Sequence, residues 1–319
     1  MTKPRVFLTR RWPEPAEAAL AERFDVTCNE DDRPLSPEQL KAALVDHDAL
    51  LPTVVDSIDT ETLAAVPLRA RIIANYGVGV SHINLSAARE RGIVVTNTPD
   101  VLTSSTAELA ITLMLMAARR AGEGERQLRA GAWSGWRPTH LIGRQVTGKT
   151  LGVIGMGRIG RAVARRAAAG FDMEVIYFNR HPVSPSDLGR ASATIEEVLE
   201  QADFLSLHVP GGEENRHLLD EKRLSLMKPG AVLINTSRGE VVNEAALAVA
   251  LASGKIAAAG LDVYEAEPQV HPGLLQLENV VLLPHLGSAT LEARVGMGMR
   301  VIANLEAFFA GDDPPDRVA

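Results

Sequence analysis

Residues 150–169 read T-L-G-V-I-G-M-G-R-I-G-R-A-V-A-R-R-A-A-A, and their pattern changes character at the glycines. L-G-V-I before Gly155 is a short apolar run of the kind a buried parallel strand uses. R-A-V-A-R-R-A-A-A after Gly160 is Ala- and Arg-rich and suits a helix. Between them stands G-M-G-R-I-G, 155–160. In a strand-turn-helix unit each glycine has its own task. Gly155 permits the tight turn, Gly157 lets bare backbone approach a pyrophosphate, and Gly160 lets helix and strand pack closely. A second strand, M-E-V-I-Y at 173–177, ends about 20 residues on, where a dinucleotide-binding unit needs it. Met156, Arg158 and Ile159 complete the expected cofactor turn.

A second glycine motif, G-R-Q-V-T-G-K-T at 143–150, matches the nucleotide-triphosphate loop G-x-x-x-x-G-K-[ST] in full. Its context is wrong. Such a loop must leave a strand and open a helix, so that helix N–H groups meet phosphate. This one follows an irregular Trp/Pro stretch and runs straight into a strand. It reads as a polar turn.

The second strand ends in F-N-R-H-P, 178–182. An acid commonly stands there and accepts the ribose 2′-hydroxyl. The same acid repels a 2′-phosphate by roughly 4 kcal/mol per unit charge, at about 4 Å and an effective dielectric near 20. Asn179 removes that penalty, and Arg180 brings a guanidinium fork that matches phosphate. The segment, helped by His181, predicts NADP(H) as preferred cofactor, with NAD(H) as the second ligand.

Outward from this unit, β-branched runs alternate with helical patterns, which signals parallel α/β architecture. Ahead of it lie R-V-F-L-T, D-A-L-L-P-T, R-I-I-A-N-Y and I-V-V-T-N as strands. P-E-Q-L-K-A-A-L is a helix near residue 40. T-S-S-T-A-E-L-A-I-T-L-M-L-M-A-A-R-R, 103–120, is a buried helix with Thr103 or Ser104 as N-cap. G-A-W-S-G-W-R-P-T-H, 131–140, has no periodicity and predicts an extended loop. Behind the glycine turn come F-L-S-L-H-V, A-V-L-I-N-T, A-A-A-G-L-D-V and N-V-V-L-L-P, then an amphipathic helix over 290–309. The chain of 319 residues therefore divides into two α/β units, the second starting near residue 102.

Bulk composition narrows the class. The chain is 46% hydrophobic and 23% charged, as in a soluble globular protein, and its net charge of −7 argues against nucleic acid or anionic membrane as partner. Cys28 is the one cysteine, so no intrachain disulfide forms, which fits the cytoplasm. No signal peptide opens the sequence. The longest apolar segment, 109–118, is too short to span a bilayer. The eight histidines are scattered, and no metal site is expected.

Ligands of open α/β sheets sit at the carboxyl ends of strands. Standing there are His208, Val209 and Pro210; Thr236, Ser237 and Arg238; Asp262, Glu265 and Glu267; and His285, Gly287 and Ser288. Hydride transfer to a 2-keto acid needs a cation for the carboxylate, a proton donor for the developing alkoxide, and a carboxylate to orient that donor. Arg238, His285 and Glu267 can fill these roles. Spacing alone does not separate His285 from His208, or Glu267 from Glu265.

Taken together, N-Y-G-V-G-V-S-H-I-N at 75–84, V-T-N-T-P-D-V-L-T at 95–103, the glycine turn, L-H-V-P at 207–210, N-T-S-R-G-E at 235–240, G-L-D-V-Y-E-A-E-P at 260–268 and L-P-H-L-G-S-A-T at 283–290 resemble the D-isomer-specific 2-hydroxyacid dehydrogenases. The resemblance spans nearly the whole chain. G-A-W-S-G-W-R-P and F-N-R-H bring it nearest to the glyoxylate/hydroxypyruvate reductase branch. It implies two doubly wound parallel-sheet domains. One is a flavodoxin-like substrate domain over 1–101 and 289–319, the other a Rossmann-type dinucleotide domain over 102–288. It implies Arg238 on the substrate carboxylate, His285 as acid/base held by Glu267, and Val78 and Gly79 as backbone donors to the carboxylate, with Ser288 nearby. On the cofactor side it implies Thr106, His208 with Val209 and Pro210, Thr236 and Ser237, Asp262 facing the nicotinamide carboxamide, and Gly287. It implies a homodimer through 102–140, with Trp136 either in the partner's active site or an interface anchor. The expected reaction is NADPH-driven reduction of glyoxylate to glycolate and of hydroxypyruvate to D-glycerate. The alternatives are a D-3-phosphoglycerate or broader D-2-hydroxyacid dehydrogenase, and a dinucleotide-sensing, corepressor-like binding protein.

Overall fold

A computed structural model describes residues 2–183 and 188–319. The chain forms two compact units, Met1–Leu102 with Ala289–Ala319, and Thr103–Ser288. Both are built on sheets whose strands pair in parallel throughout.

The first unit holds β1 (Arg5–Leu8), β2 (Asp25–Cys28), β3 (Ala49–Leu51), β4 (Ile72–Ala74) and β5 (Val94–Thr96). Their order is β2-β1-β3-β4-β5, the flavodoxin-like arrangement. β3 and β4 are buried at every residue, because helices cover both faces of a parallel sheet. β2 escapes the sequence pattern. D-V-T-C lies at the edge and alternates exposed and half-buried residues, so it carries no apolar run. The opposite edge, β5, is covered by the chain's last residues. Val318 N–H donates to Val95 O (2.8 Å), Val95 N–H to Ala319 O (3.0 Å), and Asn97 N–H to Asp316 O (3.2 Å). Asp316 is latched in turn to the helix Leu291–Ala310. Arg300 grips both its oxygens (2.6 and 2.7 Å), and Asn304 Nδ2 donates a third bond at 3.0 Å.

The second unit holds β6 (Thr150–Ile154), β7 (Glu174–Phe178), β8 (Arg190–Ala191), β9 (Phe204–Leu207), β10 (Ala231–Asn235), β11 (Ile256–Leu261) and β12 (Val280–Leu282). Their order is β12-β11-β10-β9-β6-β7-β8. Counted from β6, this is the doubly wound order 3-2-1-4-5-6 with one strand added. Strand order reverses between β6 and β9, the place where such sheets bind ligands. Register sharpens the point. Ile154 pairs with Phe178 and Leu207, Leu207 with Asn235, Asn235 with Leu261, and Leu261 with Leu282. Six strands thus end on one line, and the loops that follow them begin at one level. β8, two exposed residues, is too short to leave a sequence signal.

The buried helix runs Thr103–Ala118 and already contains Thr103 and Ser104, so neither is the residue that precedes it. Residues 131–149 contain no helix or strand, and β6 rather than a helix follows the G-K-T sequence. The helix requirement of a triphosphate loop is unmet there. Among the described residues no helix is long and apolar enough to cross a membrane.

Candidate active site

The glycine turn fits a dinucleotide in its backbone. Gly155 has φ +98°, and a Cβ on it would stand 2.6 Å from His208 O. A Cβ on Gly160 would stand 2.2 Å from Gly155 O, so only glycine lets the helix Arg158–Phe171 start this close to β6. At Gly157 the space is open, with no heavy atom within 4 Å of an added Cβ, and no side chain caps the helix. Bare backbone at a helix N-terminus is what a pyrophosphate requires. Met156 offers only backbone, since its side chain is part of the hydrophobic core, and Ile159 packs against the same core. Arg158 is exposed.

Asn179 is more occupied than its sequence position implies. Its Oδ1 accepts from Met156 N–H (2.9 Å) and its Nδ2 donates to His181 O (2.6 Å), so the amide clasps the glycine turn to the end of β7. Arg180 extends outward. Its Nη1 lies 2.6 Å from Glu214 Oε2, and its Nη2 donates to Asn215 Oδ1 at 2.7 Å. His181 is exposed.

After β9, His208 is held by Ser206, with Nε2 and Oγ 2.8 Å apart. Burial lowers its pKa to about 4, so the ring is neutral at physiological pH. Val209 packs on the core, and Pro210 O accepts from Asn215 Nδ2 (3.0 Å).

After β10, the buried Asn235 organises the turn. Its Oδ1 accepts from Ser237 N–H (3.0 Å) and Oγ (2.8 Å), and its Nδ2 donates to Arg238 O (2.9 Å). The Arg238 guanidinium donates to Ser237 O at 2.6 Å. Burial pulls Arg238 below the ordinary guanidinium value, opposed by the charges of Glu240 and Glu267. It stays cationic at any working pH. Thr236 Oγ1 is buried and meets no partner among the described residues. An orphaned hydroxyl one strand from the switch point fits a ligand-facing role.

The ends of β11 and β12 are joined by carboxylates. His285 Nδ1 lies 2.8 Å from Glu267 Oε2, and Glu267 Oε1 accepts from Tyr264 N–H (3.0 Å). With Glu267 ionised, Nδ1 is the donor, which leaves Nε2 for chemistry. Burial pushes Glu267 upward. The hydrogen bond and charge of His285, the Tyr264 N–H and Arg238 outweigh it and hold the group below the ordinary carboxylate value. Asp262 receives Leu286 N–H (2.6 Å) and Gly287 N–H (2.8 Å), one on each oxygen, and its own carbonyl accepts from His285 N–H (2.9 Å). Burial nonetheless raises Asp262. Thr106 Oγ1 donates to Gly287 O (3.1 Å). The loop carrying His285 is thus pinned from β11 and from the helix Thr103–Ala118. This fixation supports the left-handed backbone of His285, φ +55°, a cost of order 1–3 kcal/mol for a residue with a side chain.

Geometry separates the pairs that spacing left open. Glu265 Oε1 is 2.5 Å from His217 Nε2, and its Oε2 accepts from Glu244 N–H (3.1 Å), so Glu265 is committed away from His285. In the first unit, Val78 and Gly79 follow β4, their carbonyls held by Asn97 Nδ2 (2.8 Å) and Asn75 Nδ2 (3.0 Å). Among the described residues their N–H groups have no acceptor. Ser288 is half-buried, and Trp136 is 82% exposed. Asn235, Glu214 and Asn215 were not singled out from sequence. A buried Asn closing a strand just before T-S-R was a readable sign for Asn235. Nothing local marked Glu214 or Asn215.

The model of the D-isomer specific 2-hydroxyacid dehydrogenase NAD binding domain matches residues 111–287. A glyoxylate reductase of Pyrococcus furiosus is 45% identical, over 99% of this chain and 95% of that protein. A glycerate dehydrogenase of Hyphomicrobium methylovorum is 37% identical, over 98% of each. The crystal structure of an NADPH-dependent glyoxylate/hydroxypyruvate reductase from Sinorhizobium meliloti, in complex with NADP and malonate, superposes with a TM-score of 0.89 at 36% identity, covering 100% of this chain and 97% of that one. The matched domain contains the glycine turn, Arg238, Glu267 and His285, and the likeness runs the length of the chain: this protein belongs to the D-isomer-specific 2-hydroxyacid dehydrogenase family.

Proposed function

We propose that the protein reduces glyoxylate to glycolate and hydroxypyruvate to D-glycerate, with NADPH preferred over NADH, as a homodimer in the cytoplasm. The His285–Glu267 pair carries this reading, because it leaves Nε2 of a carboxylate-oriented imidazole at the carboxyl edge of the sheet. The names of the Pyrococcus and Sinorhizobium relatives support the substrate class. Arg238 binds the keto-acid carboxylate and polarises the carbonyl. The glycine turn would hold the pyrophosphate of the dinucleotide, whose reduced nicotinamide would supply the hydride. His285 Nε2 passes its proton to the alkoxide oxygen, while Glu267 stabilises the imidazolium that precedes transfer. The neutral, hydroxyl-bonded His208 takes no part in that transfer and lines the cofactor side, with Thr236 and Asp262. Arg180 receives the 2′-phosphate. A lone cysteine fits the reducing cytoplasm. Leu128, Trp133, Trp136 and Ile142, each more than half exposed, supply an apolar dimer surface.

The test is a panel of initial rates with glyoxylate, hydroxypyruvate, pyruvate and phosphohydroxypyruvate, each with NADPH and NADH, on the native chain and on His285→Gln. Highest kcat/KM is expected for the first two acids with NADPH. His285→Gln should lower kcat about a hundred- to ten-thousandfold while NADPH still binds. Faster turnover of phosphohydroxypyruvate, or full activity in the variant, would overturn the reading.

A further inference from the structure

The second strand lacks an acid, yet the fold brings one to the guanidinium that follows it. β7 and β9 are the two neighbours of β6. A contact between the loops that follow β7 and β9 must therefore reach across the end of β6, where the glycine turn lies. Adjacent strands are about 4.8 Å apart, so the span is roughly 10 Å. Arg180 and Glu214 make that contact. Their ion pair at 2.6 Å joins residues 34 apart in sequence. Asn215 steadies it from beneath. The residue is buried, its Oδ1 accepts from Arg180 Nη2, and its Nδ2 is anchored on Pro210 O. The loop is braced a second time where Glu240 Oε1 accepts from Gly212 N–H (3.1 Å). Asn179 cannot substitute for either charge, because both ends of its neutral amide are engaged, Oδ1 on the glycine turn and Nδ2 on His181 O.

We propose that Glu214 is a specificity-determining residue for the cofactor: it supplies the carboxylate missing at position 179 and sets how strongly a 2′-phosphate is favoured over a 2′-hydroxyl. The proposal rests on the reading of Arg180 as the 2′-phosphate ligand. With a 2′-hydroxyl, the carboxylate is an acceptor for it, the task of the acid in NAD sites. With a 2′-phosphate, Arg180 turns from Glu214 to the phosphate. The exchange is easy, because the side chains are 47% and 65% exposed and such pairs are weak. The Glu214 charge stays close and repels the phosphate. The native pair thus permits both dinucleotides and restrains the preference that Arg180 creates.

The test uses two fragments that differ only at the 2′ position, adenosine 2′,5′-bisphosphate and adenosine 5′-monophosphate, as competitive inhibitors against the varied dinucleotide. The enzymes are the native chain, Glu214→Gln and Arg180→Gln. In Glu214→Gln the inhibition constant of the bisphosphate should fall about tenfold, the scale of one unit charge near a surface, while that of the monophosphate, whose 2′-hydroxyl trades a charged acceptor for a neutral one, stays the same or rises. In Arg180→Gln the bisphosphate should weaken about tenfold. If Arg180→Gln weakens the bisphosphate but Glu214→Gln leaves it unchanged or weaker, the role of Glu214 is refuted and the 2′-phosphate reading stands. If Arg180→Gln leaves both inhibitors unchanged, the 2′-phosphate reading itself fails and the proposal falls with it. Glu214 is exposed, so its replacement leaves the core intact, and monophosphate inhibition reports a folded site in each variant.

Discussion

At the scale of single residues, Glu267, proposed above to serve the chemistry, has a separate consequence for stability. Its folded-state pKa lies below the ordinary carboxylate value. A depressed acid stabilises the fold above its unfolded pKa and loses that contribution as pH falls through the folded one. Glu267→Gln should therefore cost about 1.5–3 kcal/mol at neutral pH, the range of a hydrogen bond to a charged group. The cost should shrink as pH drops below about 4.3, the ordinary Glu value. Thermal melts of both proteins from pH 7 to pH 3 measure this. A gap that stays constant or widens at low pH would show that the carboxylate charge is not the source. Asp262 has the opposite sign, since burial raises it, so its ionised form costs stability at neutral pH. What it holds in return is the backbone of Leu286 and Gly287, next to His285.

At the scale of elements, the latch at Asp316 makes the clearest prediction. The side chain is almost wholly buried and binds Arg300 and Asn304 together. Asp316→Ala strands the Asn304 amide and frees the residues covering β5, so the fold should lose about 2–4 kcal/mol. Urea unfolding followed by circular dichroism checks the value, and a loss under about 0.5 kcal/mol would rule the latch out as a structural element. Sequence made many elements readable. The strands of the second unit with apolar runs announced themselves, as did the glycine turn, because each needs a particular residue at a particular step. β2 and β8 did not, being edge strands without an apolar run. The site divided in the same way. His285 and Glu267 could be named as candidates and were paired by the family resemblance, though not by spacing, whereas assigning Glu265 to His217 took the third dimension. Arg180 could be named as a candidate phosphate ligand, whereas Glu214 arrives from a loop behind another strand and leaves no local trace.

At the scale of the whole molecule, four large apolar side chains in 128–142 face outward: Leu128, Trp133, Trp136 and Ile142. Trp136, at 82% exposed, is the extreme case. An apolar surface of this kind suits cover by a second copy, as in the homodimer proposed above. Sedimentation equilibrium at micromolar concentration should give a dimer for the native chain, and a dimer at least about tenfold weaker for the double substitution Trp133→Ala with Trp136→Ala. A native monomer would exclude the assembly. The residues laid along β5 carry a different lesson. They occupy hydrogen-bonding groups that would otherwise template another chain. Once the Asp316 latch lets go, the Val94–Thr96 edge becomes adhesive. Light scattering on a stored sample would then register damage at residue 316 while the second unit, with Arg238, Glu267 and His285, is still folded.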